Sequence, residues 1–332
     1  MTPAPPIPAA TVVLLRPARD GFEVLLTRRP ATMEFGPNIC VFPGGRVDPA
    51  DSAPAALDAV GVTETAAAAA LGLGLAPDGG LTPALALAHH VAAVREAAEE
   101  TGIALDAQDL IALSRWVTPI SVARRFDVRF FAALVPPETE VGPAGSAEVA
   151  EAVWMAPSDA LAAAAAARIE LWQPTMVTLQ QLDGLLDEQA VRAAFGPGVD
   201  RGGARFERGS PDLARLEVPW AAGIPGRRAS GWLLGRREVV VVDPADPTGV
   251  TTDAVLAELQ STGARLAGVV VTGFMPERHA GVEMFAHGLG LPVAGPADAG
   301  VWVPYPVIRI GPGDRLPFGD AAVTLAEVRG LG

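Results

Sequence analysis

The chain has 332 residues, room for two domains with separate cores, and a formal net charge of −13 in which all 25 basic residues are arginine. So acidic a chain argues against nucleic acid or an anionic membrane as the main partner, while leaving open a local basic pocket for a phosphorylated substrate. A single cysteine, Cys40, excludes an internal disulfide, no apolar run approaches the ~18 residues of a membrane span, and residues 1–10 lack the regions of a signal peptide, so the expected location is cytoplasmic.

In chain order, residues 11–15 and 22–27 read as a hairpin across the turn at 17–21, with Arg28 and Arg29 at its exit as candidates for substrate phosphate or as solvated side chains. Residues 39–42 form a short apolar strand ending at Pro43-Gly44-Gly45, and Cys40 within it reads as a buried structural thiol. After Asp48 and Asp51, an alanine-rich stretch predicts a helix near 63–73 and a turn at 77–80. Thr82-Pro83 is a strong helix start, and the helix runs to about residue 100, where Gly102 closes it. His89 and His90 within it read as packing or surface residues.

The end of that helix, Arg95 to Ile103, reads R-E-A-A-E-E-T-G-I. At about 100° per residue, Glu96, Glu99 and Glu100 share one narrow sector, and three carboxylates there repel unless a cation neutralises them. Oxygen donors of this kind suit Mg²⁺ or Mn²⁺ rather than zinc. The bare pattern is also compatible with a solvated helix end.

This stretch resembles the second half of the Nudix box, G-x5-E-x7-R-E-U-x-E-E-x-G-U with U apolar, and Val41 to Asp51 resembles the first half with Asp51 in place of Glu. Between Asp51 and Arg95 lie 43 residues where the pattern has x7, so about residues 52–81 are an insertion. An interrupted box is known in the coenzyme A diphosphatase-like branch. F-G-P-N-I-C-V-F-P-G-G before the box and W-V-T-P and R-R-F-D-V-R-F-F after it resemble that branch as well. The resemblance implies an α/β/α sandwich with a mixed sheet over residues 1–194 and hydrolysis of a diphosphate linkage in a small nucleoside-diphosphate-linked substrate. Coenzyme A or an acyl derivative is the first expectation. ADP-ribose or a nucleotide sugar, or a catalytically inactive binding protein, are the alternatives.

The same resemblance implies catalytic roles for Arg95, Glu96, Glu99 and Glu100, and metal binding by the Gly45 carbonyl with Glu96, Glu99 and Glu100. A further metal-binding glutamate is expected ahead of Trp154, with Glu148 first and Glu151 second. Asp51 and Arg95 are expected to form a structural pair, the insertion supplying the reach that the shorter Asp lacks.

Downstream, residues 109–117 and 125–134 read as strands, the second alternating charged and apolar residues, so that Arg124, Arg125 and Arg129 are candidates to line an anionic groove. An acidic loop over 138–151, a strand at 153–155 and an alanine-rich helix opened by Pro157 follow. A last helix then places Leu179, Leu182, Leu185 and Leu186 in the core.

Residues 195–209 read as a linker. Residues 210–332 run strand, strand, helix, strand and resemble the start of a metallo-β-lactamase fold, a partial αβ domain. Where that family has T-H-x-H-x-D-H, this chain has Thr272-Gly273-Phe274-Met275-Pro276-Glu277-Arg278, with His279 out of register and His287 further on, so no zinc is expected there. The chain stops about where a second ligand-bearing segment would begin, and a reduced domain and a fragment both stay open. This half reads as a structural or dimerisation module, with a homodimer the expected assembly.

Overall fold

The computed structural model describes residues 5–32, 36–71, 81–118, 124–142, 149–196, 204–219, 228–246, 250–272, 281–296, 306–318 and 321–324. The first half opens with β1 (Ile7–Ala18) and β2 (Gly21–Arg28), a hairpin turned by Gly21 at φ 123°. β3 (Cys40–Val41) and β4 (Gly44–Arg46) follow, then α1 (Pro54–Ala59), α2 (Glu64–Ala70) and the 19-residue α3 (Pro83–Thr101). Next come β5 (Ile111–Val117), β6 (Phe126–Leu134), β7 (Glu151–Met155), α4 (Pro157–Ala165), α5 (Gln173–Leu182) and α6 (Glu188–Phe195).

These strands make one mixed sheet in the order β3-β2-β1-β6-β5, with β4 added to β1 and β7 to β2. Only β1 and β6 run parallel. Side chains alternate along β2: Leu25 joins the core under α2 and α3, whereas Val24 and Leu26 join the core under α4, α5 and α6. The sheet is therefore buried on both faces, the three-layer α/β/α arrangement expected.

The insertion is part of this core. Ala67, Ala68 and Leu71 of its second helix are buried beside α3, and Thr63 caps that helix by accepting a hydrogen bond from the Ala66 N–H. Residues 72–80 lie outside the description. One core expectation fails: α5 stops at Leu182, the chain turns at Gly184 (φ 81°), and Leu186 is 66% exposed. Helical spacing cannot foresee that Gly184 ends the helix one turn early.

The second half holds β8 (Arg205–Ser210), β9 (Leu213–Pro219), β10 (Arg228–Leu234), β11 (Glu238–Val242), α7 (Val250–Thr262) and β12 (Arg265–Val270). It continues with α8 (Val282–Leu289), β13 (Val293–Gly295), β14 (Val307–Arg309) and a separate hairpin of β15 (Arg315–Phe318) and β16 (Ala321–Thr324). β8 begins inside the stretch expected as linker, because Arg205 to Ser210 is an exposed edge strand whose polar composition imitates a loop. A second mixed sheet runs β14-β13-β12-β11-β10-β9-β8, antiparallel from β8 to β11 and parallel from β11 to β14. No helix among the described residues is long and apolar enough to cross a membrane.

The two halves meet at a half-buried ion pair. Arg125, just ahead of β6, donates from Nη2 to both carboxylate oxygens of Asp253 on α7 at 2.7 and 3.0 Å, and from Nε to the Thr118 carbonyl at 2.9 Å. Burial pushes the Asp253 carboxyl up, and the guanidinium opposes that shift.

Candidate active site

Helix α3 carries most of the site, and its ends are set locally. The Thr82 hydroxyl accepts from the Leu85 N–H at 3.1 Å, Pro83 occupies the first turn, and Gly102 leaves the helix at φ 73°. Ala86, Ala88, Ala92, Ala93 and Ala97 are buried, small enough to let the helix lie close on the sheet. The helix is also tied to β1 by a 3.0 Å hydrogen bond between His89 Nδ1 and the Ala9 carbonyl.

Both histidines are therefore core residues. His90 bonds the Ala86 carbonyl through Nδ1 at 2.9 Å and meets the Phe131 ring edge-on, and burial lowers its pKa. Burial, aided by the Arg129 guanidinium, pushes His89 down to about 4 from 6.5. Between those values the unfolded chain binds a proton at His89 that the folded chain does not, so stability rises with pH there. The contribution is full above about pH 6.5 and is lost as pH falls towards 4, roughly 3 kcal/mol in all. Urea midpoints should fall between pH 7 and pH 4.5, and His89→Leu should flatten the profile; parallel profiles for the two proteins would contradict this account.

Beside α3, β4 pairs antiparallel with β1, Gly44 opposite Thr11 and Gly45 opposite Ala10. Neither glycine is among those with positive φ, so space is what demands glycine here. A Cβ on Gly44 would stand 2.4 Å from the Ala10 carbonyl oxygen, and one on Gly45 only 2.1 Å from Glu96 Oε1. The Gly44 N–H donates to Glu100 Oε2 at 3.2 Å, which holds the mostly buried Glu100 against the strand. Nothing in the residue pattern singled out that N–H.

Asp51 sits in a 3-10 turn, Pro49–Ser52, and is 2% exposed. It accepts from the Asp48 N–H at 2.8 Å and takes both arms of Arg95, Nε to Oδ1 and Nη2 to Oδ2, each at 2.9 Å. Arg95 also donates to the Arg46 carbonyl at 3.0 Å, to Glu96 at 2.9 Å and to Glu99 at 3.0 Å. The Asp51 hydrogen bond is the largest influence that raises the Arg95 pKa further above its ordinary value.

The site thus gathers Asp51, Glu96 and Glu99 on one guanidinium, with Glu100 alongside. Hard oxygen donors with excess negative charge suit an oxygen-seeking divalent cation. Among the described residues no three histidine, cysteine or carboxylate side chains converge as a metal cage. The physical reason is visible: Glu96 and Glu99 turn to Arg95, and Glu100 turns to Gly44. Glu148 lies outside the description.

The remaining candidates go elsewhere. β2 alternation places Arg28 on the sheet face away from α3, its Nε 3.3 Å from Glu151, so this pair lies across the sheet from the Glu96–Glu100 end. Arg125 is 5% exposed and engaged by Asp253 and Thr118, and Arg129 is 4% exposed. Gly273, Met275, Arg278 and His279 lie outside the description.

Residues 75–176 match the family model described as the NUDIX domain. No curated protein matches the chain. Among solved structures, the chain is similar to a NUDIX hydrolase from Alicyclobacillus acidocaldarius at 25% identity, over 58% of this chain and 98% of that one, with a TM-score of 0.45. It is similar to the NUDIX domain of Shewanella oneidensis NrtR, solved with ADP ribose, at 14% identity over 57% and 88%, TM-score 0.34. It is also similar to a C. elegans Ap4A hydrolase in a binary complex, at 18% identity over 52% and 92%, TM-score 0.32. The matched segment starts after Gly44, Gly45 and Asp51, which the fold returns to the helix end. Residues 75–176 of the chain, just under a third of it, are thus similar to the NUDIX domain.

Proposed function

We propose that this protein hydrolyses the diphosphate linkage of a small nucleoside-diphosphate-linked substrate, with coenzyme A or an acyl derivative the first choice. One observation carries the reading: the double hydrogen bond from Arg95 to Asp51, which joins the two box halves across 43 intervening residues. The coenzyme A choice rests on the interrupted box.

Nudix hydrolases generally use divalent metals, and here Glu96, Glu99, Glu100, the Gly45 carbonyl and Glu148 are the residues proposed to hold Mg²⁺ or Mn²⁺. Such an ion, when bound, polarises a phosphoryl oxygen and acidifies water. Gly45 keeps the strand clear where the Glu96 carboxylate stands, and Arg95 orients Glu96 and Glu99 through hydrogen bonds of 2.9 and 3.0 Å. Glu96 either positions the helix end in this way or accepts the proton that the attacking water releases. The second half is read as a reduced metallo-β-lactamase-like module, supported by its strand, strand, helix, strand succession from β10 to β12, and docked through Asp253.

The test is hydrolysis of coenzyme A, ADP-ribose and a nucleotide sugar by the purified protein with Mg²⁺ or Mn²⁺. Coenzyme A should be split into two phosphomonoesters faster than the others. Preference for ADP-ribose or the sugar would overturn the leaving group, and no turnover together with no Mn²⁺ binding would leave a binding protein.

A further inference from the structure

On the sheet face turned away from α3, a cleft of about 830 Å³ opens between the end of β2 and the helices α4 and α5. Its volume is that of a small-molecule site. Leu161, Ile169, Leu171 and Met176 line it, and on α4 the short side chains of Ala164 and Ala165 leave the room open. Met176 is one of the few large apolar residues left exposed, at 38%.

The charged lining is Arg28, Arg168 and Glu170, a net positive set. Beyond the end of α4, Ala167 turns the chain back at φ 55°, and Arg168, which follows it, is exposed. Arg28 Nε lies near Glu151 without hydrogen-bond alignment, and one ion pair does not exhaust the five N–H donors of a guanidinium. A guanidinium prefers a carboxylate or phosphate head. Among the described residues no aromatic ring lines the cleft, whereas a nucleobase is ordinarily held by stacking.

We propose that this cleft binds an aliphatic amphipathic anion, its acidic head at Arg28 and Arg168 and its saturated chain along Leu161, Ile169, Leu171 and Met176. The site is separate from the Glu96–Glu100 end and does not depend on the hydrolase reading. Cys40 of β3 pairs with Arg28 of β2, and the chain runs on from β3 to Gly44 of β4, whose N–H donates to Glu100.

Calorimetric titration with decanoate tests it, with decylamine as the oppositely charged control, inorganic phosphate as a head alone and adenosine monophosphate as the aromatic anion. Decanoate should bind at sub-millimolar concentration and the other three at least about tenfold more weakly. Arg28→Met and Met176→Glu should each weaken decanoate about tenfold or more. Met176 is exposed, so its variant should fold even if the Arg28 variant does not, and a thermal melt checks this. Absence of decanoate binding, equal binding of decylamine, tighter binding of adenosine monophosphate, or decanoate affinity unchanged in a folded Met176→Glu protein would each overturn the proposal.

Discussion

Replacing Glu99 by glutamine should lower diphosphate hydrolysis on the order of 10³-fold while leaving the protein folded. Its side chain is 56% exposed and meets Arg95 through one 3.0 Å bond. Exposed i,i+4 pairs are worth a few tenths of a kcal/mol, so the fold should scarcely register the change. Glutamine is nearly isosteric and keeps an oxygen, but it removes the negative charge. Hydrolysis of a diphosphate concentrates charge on phosphoryl oxygens, and loss of one anionic donor to the proposed cation acts on that transition state far more than on the ground state. The measurement is kcat and KM on the best substrate, with Mn²⁺ affinity by titration. A rate within threefold of wild type, with unchanged Mn²⁺ affinity, would remove Glu99 from the site.

Replacing Arg95 by methionine should cost about 3 kcal/mol of stability, at the lower end for breaking a buried ion pair because Arg95 remains 24% exposed. Asp51 is 2% exposed, and without the arginine its carboxylate would keep, among the described residues, the Asp48 N–H. The penalty is that of an uncompensated buried charge, so Asp51→Asn in the same chain should recover part of it. Urea unfolding of wild type, both single variants and the double variant gives the coupling energy directly. A loss under about 0.5 kcal/mol for Arg95→Met would mean that the pair behaves as a surface bridge. Hydrolysis should fall too, since Arg95 orients two glutamates and closes the turn against α3.

Much of the first half was legible because its signals are local. The helix expected over 83–100 is Pro83–Thr101, since cap, proline and closing glycine lie within one turn of its ends. Strands expected at 109–117 and 125–134 are Ile111–Val117 and Phe126–Leu134. The charge alternation in R-R-F-D-V-R-F-F identified a strand but not what its arginines meet. Arg125 meets Asp253, 128 residues away, and no spacing rule reaches that far.

The glycines of Pro43-Gly44-Gly45 illustrate the same limit. Their type was legible and their reason was not, because the demand comes from the Ala10 carbonyl on one neighbour and the Glu96 carboxylate on another. Arg28 was readable as a cation at a strand exit, but the face it occupies depends on pairing with β3 and β7.

What the sequence by itself determined was helix α3, its carboxylate sector and the two half-boxes, each encoded within a few turns or a few strand residues. Only the tertiary structure decided that Asp51 reaches Arg95, that Gly44 holds Glu100, and that Arg28 and Arg125 leave the carboxylates for partners elsewhere. Backbone periodicity is a local property, whereas hydrogen bonds between residues 44 or 128 positions apart depend on how the sheets stack and on which buried charge must find its counter-charge.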